Sequence, residues 1–186
     1  PSSLPCSQAI YPYCISLIYI MDEQLIYRIA EEYILLYTPT PEVTRELLPN
    51  YEPFLCSALP EGVPPLFTFR GGVDLSALQQ KTLLEDKISE GVRARVYKLP
   101  EGMIRLEMTV RQRTHAMHID REWREVVSDV LLDDPSAAYF INRLIMIVYG
   151  VAIAPHRMLK VHASVTEVDG RALLFLGTSG TGKSTH

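Results

Sequence analysis

Nine residues near the end of the chain, Gly177-Thr178-Ser179-Gly180-Thr181-Gly182-Lys183-Ser184-Thr185, have the types and spacing of a phosphate-binding loop. The pattern requires Gly177, Gly182, Lys183 and Ser184 at fixed intervals. The glycines let backbone N–H groups curl around phosphate oxygens. Lys183 has the reach and charge for the β and γ phosphates, and the Ser184 hydroxyl can ligate Mg²⁺. The implied chemistry is recognition of a nucleoside triphosphate, with ATP and Mg²⁺ as the expected cofactors.

Such a loop needs a strand leading into it. Leu159, Val161, Ala163 and Val165 alternate with Lys160, His162, Ser164 and Thr166, which predicts a strand with one apolar and one polar face. Asp169-Gly170 is a two-residue hairpin signal. Ala172-Leu173-Leu174-Phe175-Leu176 is an unbroken apolar run and predicts a strand buried on both faces. With Asp169-Gly170 as the turn, counting sets Val168 against Arg171, Thr166 against Leu173, Ser164 against Phe175 and His162 against Gly177. His162 is therefore the candidate catalytic residue, beside the first glycine of the loop. A histidine without a task on a half-exposed strand is the competing reading, and one extra residue in the turn would reverse the facing.

Upstream, Leu25–Ile29 and Tyr33–Leu36 flank Glu31-Glu32 and predict two strands joined by a tight polar connection. Thr40 as N-cap, Pro41 at N1 and Glu42 in the first turn predict a short helix. Leu66–Phe69 reads as a strand ending at Gly71-Gly72. Residues 92–132 read as an antiparallel meander. In it Pro100-Glu101-Gly102 turns the chain, and Ile104, Leu106 and Met108 share one face opposite Arg105, Glu107 and Thr109. Asp134 as cap and Pro135 at N1 open a helix to about Ala152 that is apolar almost all round and so should be buried. A membrane-spanning reading competes, with Asn142-Arg143 near the middle against it.

The expected organisation is an α+β fold. Residues 1–20 are expected to be an extra, non-native segment outside the folded domain, since Met21-Asp22-Glu23 looks like a natural start. Residues 21–132 form a β-rich module. Residues 133–186 hold the buried helix and the hairpin leading into a truncated P-loop nucleotide-binding domain. The net charge of −4 over 186 residues gives no electrostatic footprint for nucleic acid or an anionic membrane. Cys6, Cys14 and Cys56 lack Cys-x-x-Cys spacing, which fits a reduced compartment better than a zinc site. His115 and His118 are three apart, so a strand sends them to opposite faces. His118 and Asp120 can share one. Ordinary surface roles are expected for these, for Asp133-Asp134 as a cap, and for Trp123 packing on the β module.

Residues Leu159–Thr185 resemble the segment entering the nucleotide site of the bacterial HPr serine kinase/phosphorylase family. In that family a His on a strand precedes a hairpin and a Gly-x-Ser-Gly-x-Gly-Lys-Ser loop, as His162 and Gly177–Ser184 do here. That domain resembles the nucleotide domain of phosphoenolpyruvate carboxykinase. The resemblance implies a cytoplasmic, ATP-binding kinase that transfers phosphate to a hydroxyl of a partner protein. It puts Gly177–Thr185 on the nucleotide, Lys183 on γ-phosphate charge, Ser184 on Mg²⁺ and His162 at the active centre. The chain departs at Thr185, where the authentic enzyme commonly has an acidic residue, and the downstream Asp that serves as base has no counterpart. Two other readings stay open: a transporter-type ATPase, which Thr185 suits, and a non-catalytic partner-binding module with a vestigial loop.

Transfer needs a phosphate cradle, metal ligands and a residue orienting the nucleophile, and these 186 residues supply only part of the first. The expectation is that this chain, by itself, binds MgATP weakly or not at all and transfers no phosphate. Titration calorimetry checks this, and micromolar affinity would contradict it.

Overall fold

The structure, a computed structural model, describes residues 23–76 and 80–177. The expectations for residues 1–20 and for Thr178–Thr185 lie outside that range. Contacts divide the chain into one unit ending at Ala152 and a second beginning at Ile153.

Among the described residues, the first unit is built on a nine-stranded sheet. Its strands are β1 (Glu23–Ile29), β2 (Glu32–Thr38), β3 (Leu55–Cys56), β4 (Phe67–Arg70), β5 (Thr82–Ser89), β6 (Val92–Lys98), β7 (Ile104–Val110), β8 (Arg113–Ile119) and β9 (Glu125–Ser128). The order across the sheet is β3-β1-β2-β4-β9-β8-β7-β6-β5. Pairing is antiparallel except at β2–β4 and β4–β9, which are parallel. The sheet is therefore mixed, and its two halves meet at β4. Strand β5 is not in the sequence reading. It is exposed along its whole length and carries an irregularity between Leu83 and Glu85.

Three hairpins of this sheet close through two residues, both with positive φ: Ala30-Glu31 (48° and 72°), Glu90-Gly91 (50° and 77°) and Arg111-Gln112 (47° and 68°). This geometry matches the right-handed twist of the strands it joins. The first turn is Ala30-Glu31, one residue earlier than expected, because Glu32 already pairs with Ile29.

Two-residue turns preserve which side chains share a face. Leu25 and Tyr27, Ile34 and Leu36, Phe67 and Phe69, Val126, Met117 and Ile119, and Leu106 and Met108 fall on one face by register, and all are buried. The expected alternation of β7 holds. Helix α2 (Ala138–Ala152) covers this face with Phe140, Ile141, Leu144, Ile145 and Val148. Phe140 meets the His115 ring edge-on at 4.6 Å, and the Tyr149 hydroxyl donates to the Ile29 carbonyl at 3.0 Å. Each such side chain contributes roughly 1.5–3 kcal/mol by leaving water.

Helix α2 departs from an all-round buried helix, since Tyr139 and Val151 are both 42% exposed. One stripe rests on the sheet and the opposite side faces outward. By length and composition Pro135–Ala152 could cross a membrane; here its apolar stripe is occupied by the sheet. Its start is as expected: the Asp134 carboxylate accepts from the Ser136 N–H at 2.8 Å, and Pro135 opens a 3₁₀ turn ahead of Ala138. Helix α1 (Pro41–Leu47) corrects the Thr40 expectation. Thr40 stands at the N-cap but makes no side-chain cap; its hydroxyl donates to Asp133 Oδ2 at 3.2 Å.

The second face is crossed by the segment after β4. Gly71 passes so close to the end of β9 that a Cβ there would lie 2.4 Å from the Val130 carbonyl oxygen. Val73 N–H then donates to the Ser128 carbonyl at 2.9 Å, which carries Leu75 onto this face, where it is buried.

The Arg111-Gln112 turn holds two side-chain-bearing residues in the left-handed region without glycine, at a cost of about 1–2 kcal/mol each. Replacing Arg111→Asn together with Gln112→Gly is expected to raise unfolding free energy by about 1 kcal/mol or more. Urea denaturation reads this, and an unchanged or lower midpoint would show that the turn carries no such strain.

Candidate functional site

The hairpin in front of the phosphate-binding pattern is present. Strands β10 (Ser164–Val168) and β11 (Arg171–Phe175) pair antiparallel, with Val168 opposite Arg171, Thr166 opposite Leu173 and Ser164 opposite Phe175. Asp169 and Gly170 have φ of 51° and 71°, the two-residue turn that the sequence predicts. β11 ends two residues before Gly177, so the hairpin delivers the chain directly to the first glycine of the pattern.

Two expectations for this unit change. The pairing stops at Ser164–Phe175, and His162 lies in the exposed stretch ahead of β10, two residues short of the paired region. Its place opposite Gly177 is a continuation of the count and not a strand pair. The apolar run is also not buried. Leu173, Leu174 and Leu176 are 47%, 52% and 69% exposed, and among the described residues β11 pairs with β10 alone. Gly177 is described and exposed; Thr178, Ser179, Gly180, Thr181, Gly182, Lys183, Ser184 and Thr185 lie outside the described residues.

The first unit contains a polar cluster that the sequence reading did not assemble. Register brings Tyr97, Arg105 and His118 into one row across β6, β7 and β8, with Arg95 and Glu107 in the next. All five side chains are on the face opposite α2. Glu107 is its centre. One carboxylate oxygen accepts from Lys81 Nζ and Arg105 Nε, both at 2.8 Å, and the other accepts from the Tyr97 hydroxyl at 3.1 Å. Burial pushes the Glu107 pKa up, but the hydrogen bonds from Lys81 and Arg105 outweigh it and hold the carboxyl below its ordinary value. Lys81 also sits 4.2 Å over the Tyr97 ring.

Arg105 continues the network to His118, with Nη1 2.8 Å from Nε2, and to the Leu75 carbonyl at 3.2 Å. A guanidinium cannot accept, so Nε2 must, and the imidazole proton is on Nδ1. That Nδ1–H is buried and has no hydrogen-bond partner among the described residues. Burial and then the Arg105 charge lower the His118 pKa to about 4, so the ring is neutral at physiological pH. Its basic nitrogen is already taken by Arg105, and it is not available as a general base. The cluster reads as an ionic pin holding Leu75 and its segment against the sheet.

His118 and His115 point to opposite faces as expected; His115 Nδ1 lies 3.1 Å from Asp129 Oδ1. Asp120 Oδ1 is occupied by the Arg124 and Glu125 N–H groups, which leaves it closing a turn. Among the described residues no three His, Cys, Asp or Glu side chains converge as metal ligands. The signal for the ionic pin was present as alternation in β6, β7 and β8, but its members are brought together only by pairing register.

Comparison of the chain with protein-family models, with curated proteins and with solved structures finds no match.

The His118 shift has a stability consequence. The unfolded ring titrates near 6.5 and the folded ring near 4, so between these values only the unfolded state takes up the proton. Stability is full above about pH 6.5 and falls as pH drops towards 4, by at most about 1.4 kcal/mol per pH unit. Urea unfolding at pH 7.5 and 5 is expected to show this loss, and His118→Asn is expected to reduce it. An identical slope in the variant would show that His118 is not its source.

Proposed function

We propose that the protein binds MgATP through Gly177–Thr185 and acts as an HPr serine kinase-like phosphotransferase, a cytoplasmic protein of bacterial type. The acceptor is a hydroxyl group on a partner protein. The observation that carries this reading is the combination of an eight-position phosphate-loop pattern with a hairpin, closed by the expected turn, that ends two residues before it.

The division of labour follows from phosphoryl-transfer chemistry, which depends on placement and charge neutralisation more than on covalent steps. Backbone N–H groups of Gly177–Gly182 hold the phosphate oxygens, and Lys183 neutralises the terminal phosphate. Ser184 is the residue to hold Mg²⁺, which when bound offsets charge on the β and γ oxygens. His162, on the segment entering the hairpin, is the candidate to orient the accepting hydroxyl. The apolar side chains on both faces of β11 support the reading further, since such a strand suits the interior of a larger sheet.

Thr185 favours a second reading, a transporter-type ATPase, in which water accepts the phosphate. The two differ in product: protein-bound phosphate in the first, free inorganic phosphate alone in the second.

Nucleotide binding by the complete natural gene product tests the shared part. A charged group's hydrogen bond contributes roughly 1.5–3 kcal/mol. Lys183→Ala is therefore expected to weaken MgATP at least about tenfold by calorimetry, with unfolding unchanged. Equal affinity in the variant, or no binding in the parent protein, would remove the assignment and leave the partner-binding reading.

A further inference from the structure

Strand β5 ends the sheet, and its outer edge carries no strand among the described residues. It is eight residues long, lacks proline, and exposes Leu83, Leu84 and Ile88 at 52%, 56% and 70%. Such an edge is a template for pairing with another strand unless something covers it.

The charges on this edge distinguish among occupants. Glu85 pairs across β6 with Val96 and Lys87 with Ala94, so both side chains stand on the α2 face, two residues apart. Neither has an ion-pair partner among the described residues. Asp86, between them on the other face, is held by Arg93 and Arg95. Arg93 Nε donates to Oδ1 at 2.7 Å, and Arg95 Nε lies 3.4 Å from Oδ2. These pairs keep the Asp86 carboxyl below its ordinary pKa.

We propose that β5 pairs antiparallel with β5 of a second copy of this chain, with the two-fold axis at Asp86. A two-fold perpendicular to the sheet keeps faces matched, so residues that oppose each other must be an even number apart in sequence. Centring on Asp86 sets Glu85 opposite the second copy's Lys87, and Lys87 opposite its Glu85. It also sets Leu84 against Ile88 twice. The one like-charged pair is Asp86 with its counterpart, and each of these carboxylates is already neutralised by two arginines. Moving the axis to Glu85 or Lys87 sets an unneutralised charge against its own copy and breaks both ion pairs. Only the axis at Asp86 sets Glu85 against Lys87, so these two charges are complementary in one register. The gain is the ladder hydrogen bonds of one strand pair together with cross-strand side-chain pairs of this kind, so the dimer is a weak one.

Sedimentation equilibrium of the whole chain, from micromolar to submillimolar concentration, tests this. The parent chain is expected to dimerise. Lys87→Glu alone and Glu85→Lys alone each set like charges opposite each other, and each is expected to weaken self-association about tenfold or more. An equimolar mixture of the two variants restores two ion pairs, one as in the parent and one with its charges exchanged, and is expected to regain the parent's association. Both positions are exposed, and circular dichroism checks that each variant is folded. A parent chain that stays monomeric overturns the proposal. So does a dimer indifferent to Lys87→Glu, or one that the mixture does not restore.

Discussion

The two-residue turn with both residues at positive φ is the constraint on which the rest of this structure depends. It closes β1–β2, β5–β6, β7–β8 and, in the second unit, β10–β11. Its length fixes parity. Opposed side chains share a face in any antiparallel pair, so one residue added to the turn would shift the register and move every side chain of the second strand to the other face. The apolar face under α2, the ionic face around Glu107 and the approach to Gly177 all inherit that count.

The two faces of the large sheet then divide the work. One is dry and holds the helix, and Tyr27 meets Tyr51 edge-on at 5.7 Å near its far side. The other is polar but sealed where Leu75 lies over it, and there Lys81, Tyr97 and Arg105 surround one carboxylate. A buried carboxylate with three donors is well satisfied, whereas removing one donor exposes the desolvation cost of the rest. That cluster stabilises a segment of chain.

How much of this could be read from the residues depended on whether the signal was local. Ile104, Leu106 and Met108 alternate cleanly, and Asp134-Pro135 and Asp169-Gly170 carry their own turn chemistry, so those elements were legible. Strand β5 was not. Its irregularity between Leu83 and Glu85 breaks the period of two, and solvent on both faces leaves no burial pattern to read. Ala30-Glu31 and Arg111-Gln112 contain no glycine or asparagine, so nothing marks them as turns of this type. Thr40 looked like a cap because its actual partner, Asp133, is 93 residues away. The parallel pairing of β2, β4 and β9 likewise has no local signature. The phosphate-binding pattern was legible from spacing alone, whereas the Glu107 cluster draws on three strands and on Lys81 ahead of β5.

In the proposed function, phosphate is held by the backbone after β11 and not by the cationic face of the large sheet. The most direct measurement is backbone amide chemical-shift mapping of the complete natural gene product as MgATP is added. The largest changes are expected on the amides of residues 177–185. Changes centred instead on Lys81, Arg105 and His118, with residues 177–185 unmoved, would contradict it.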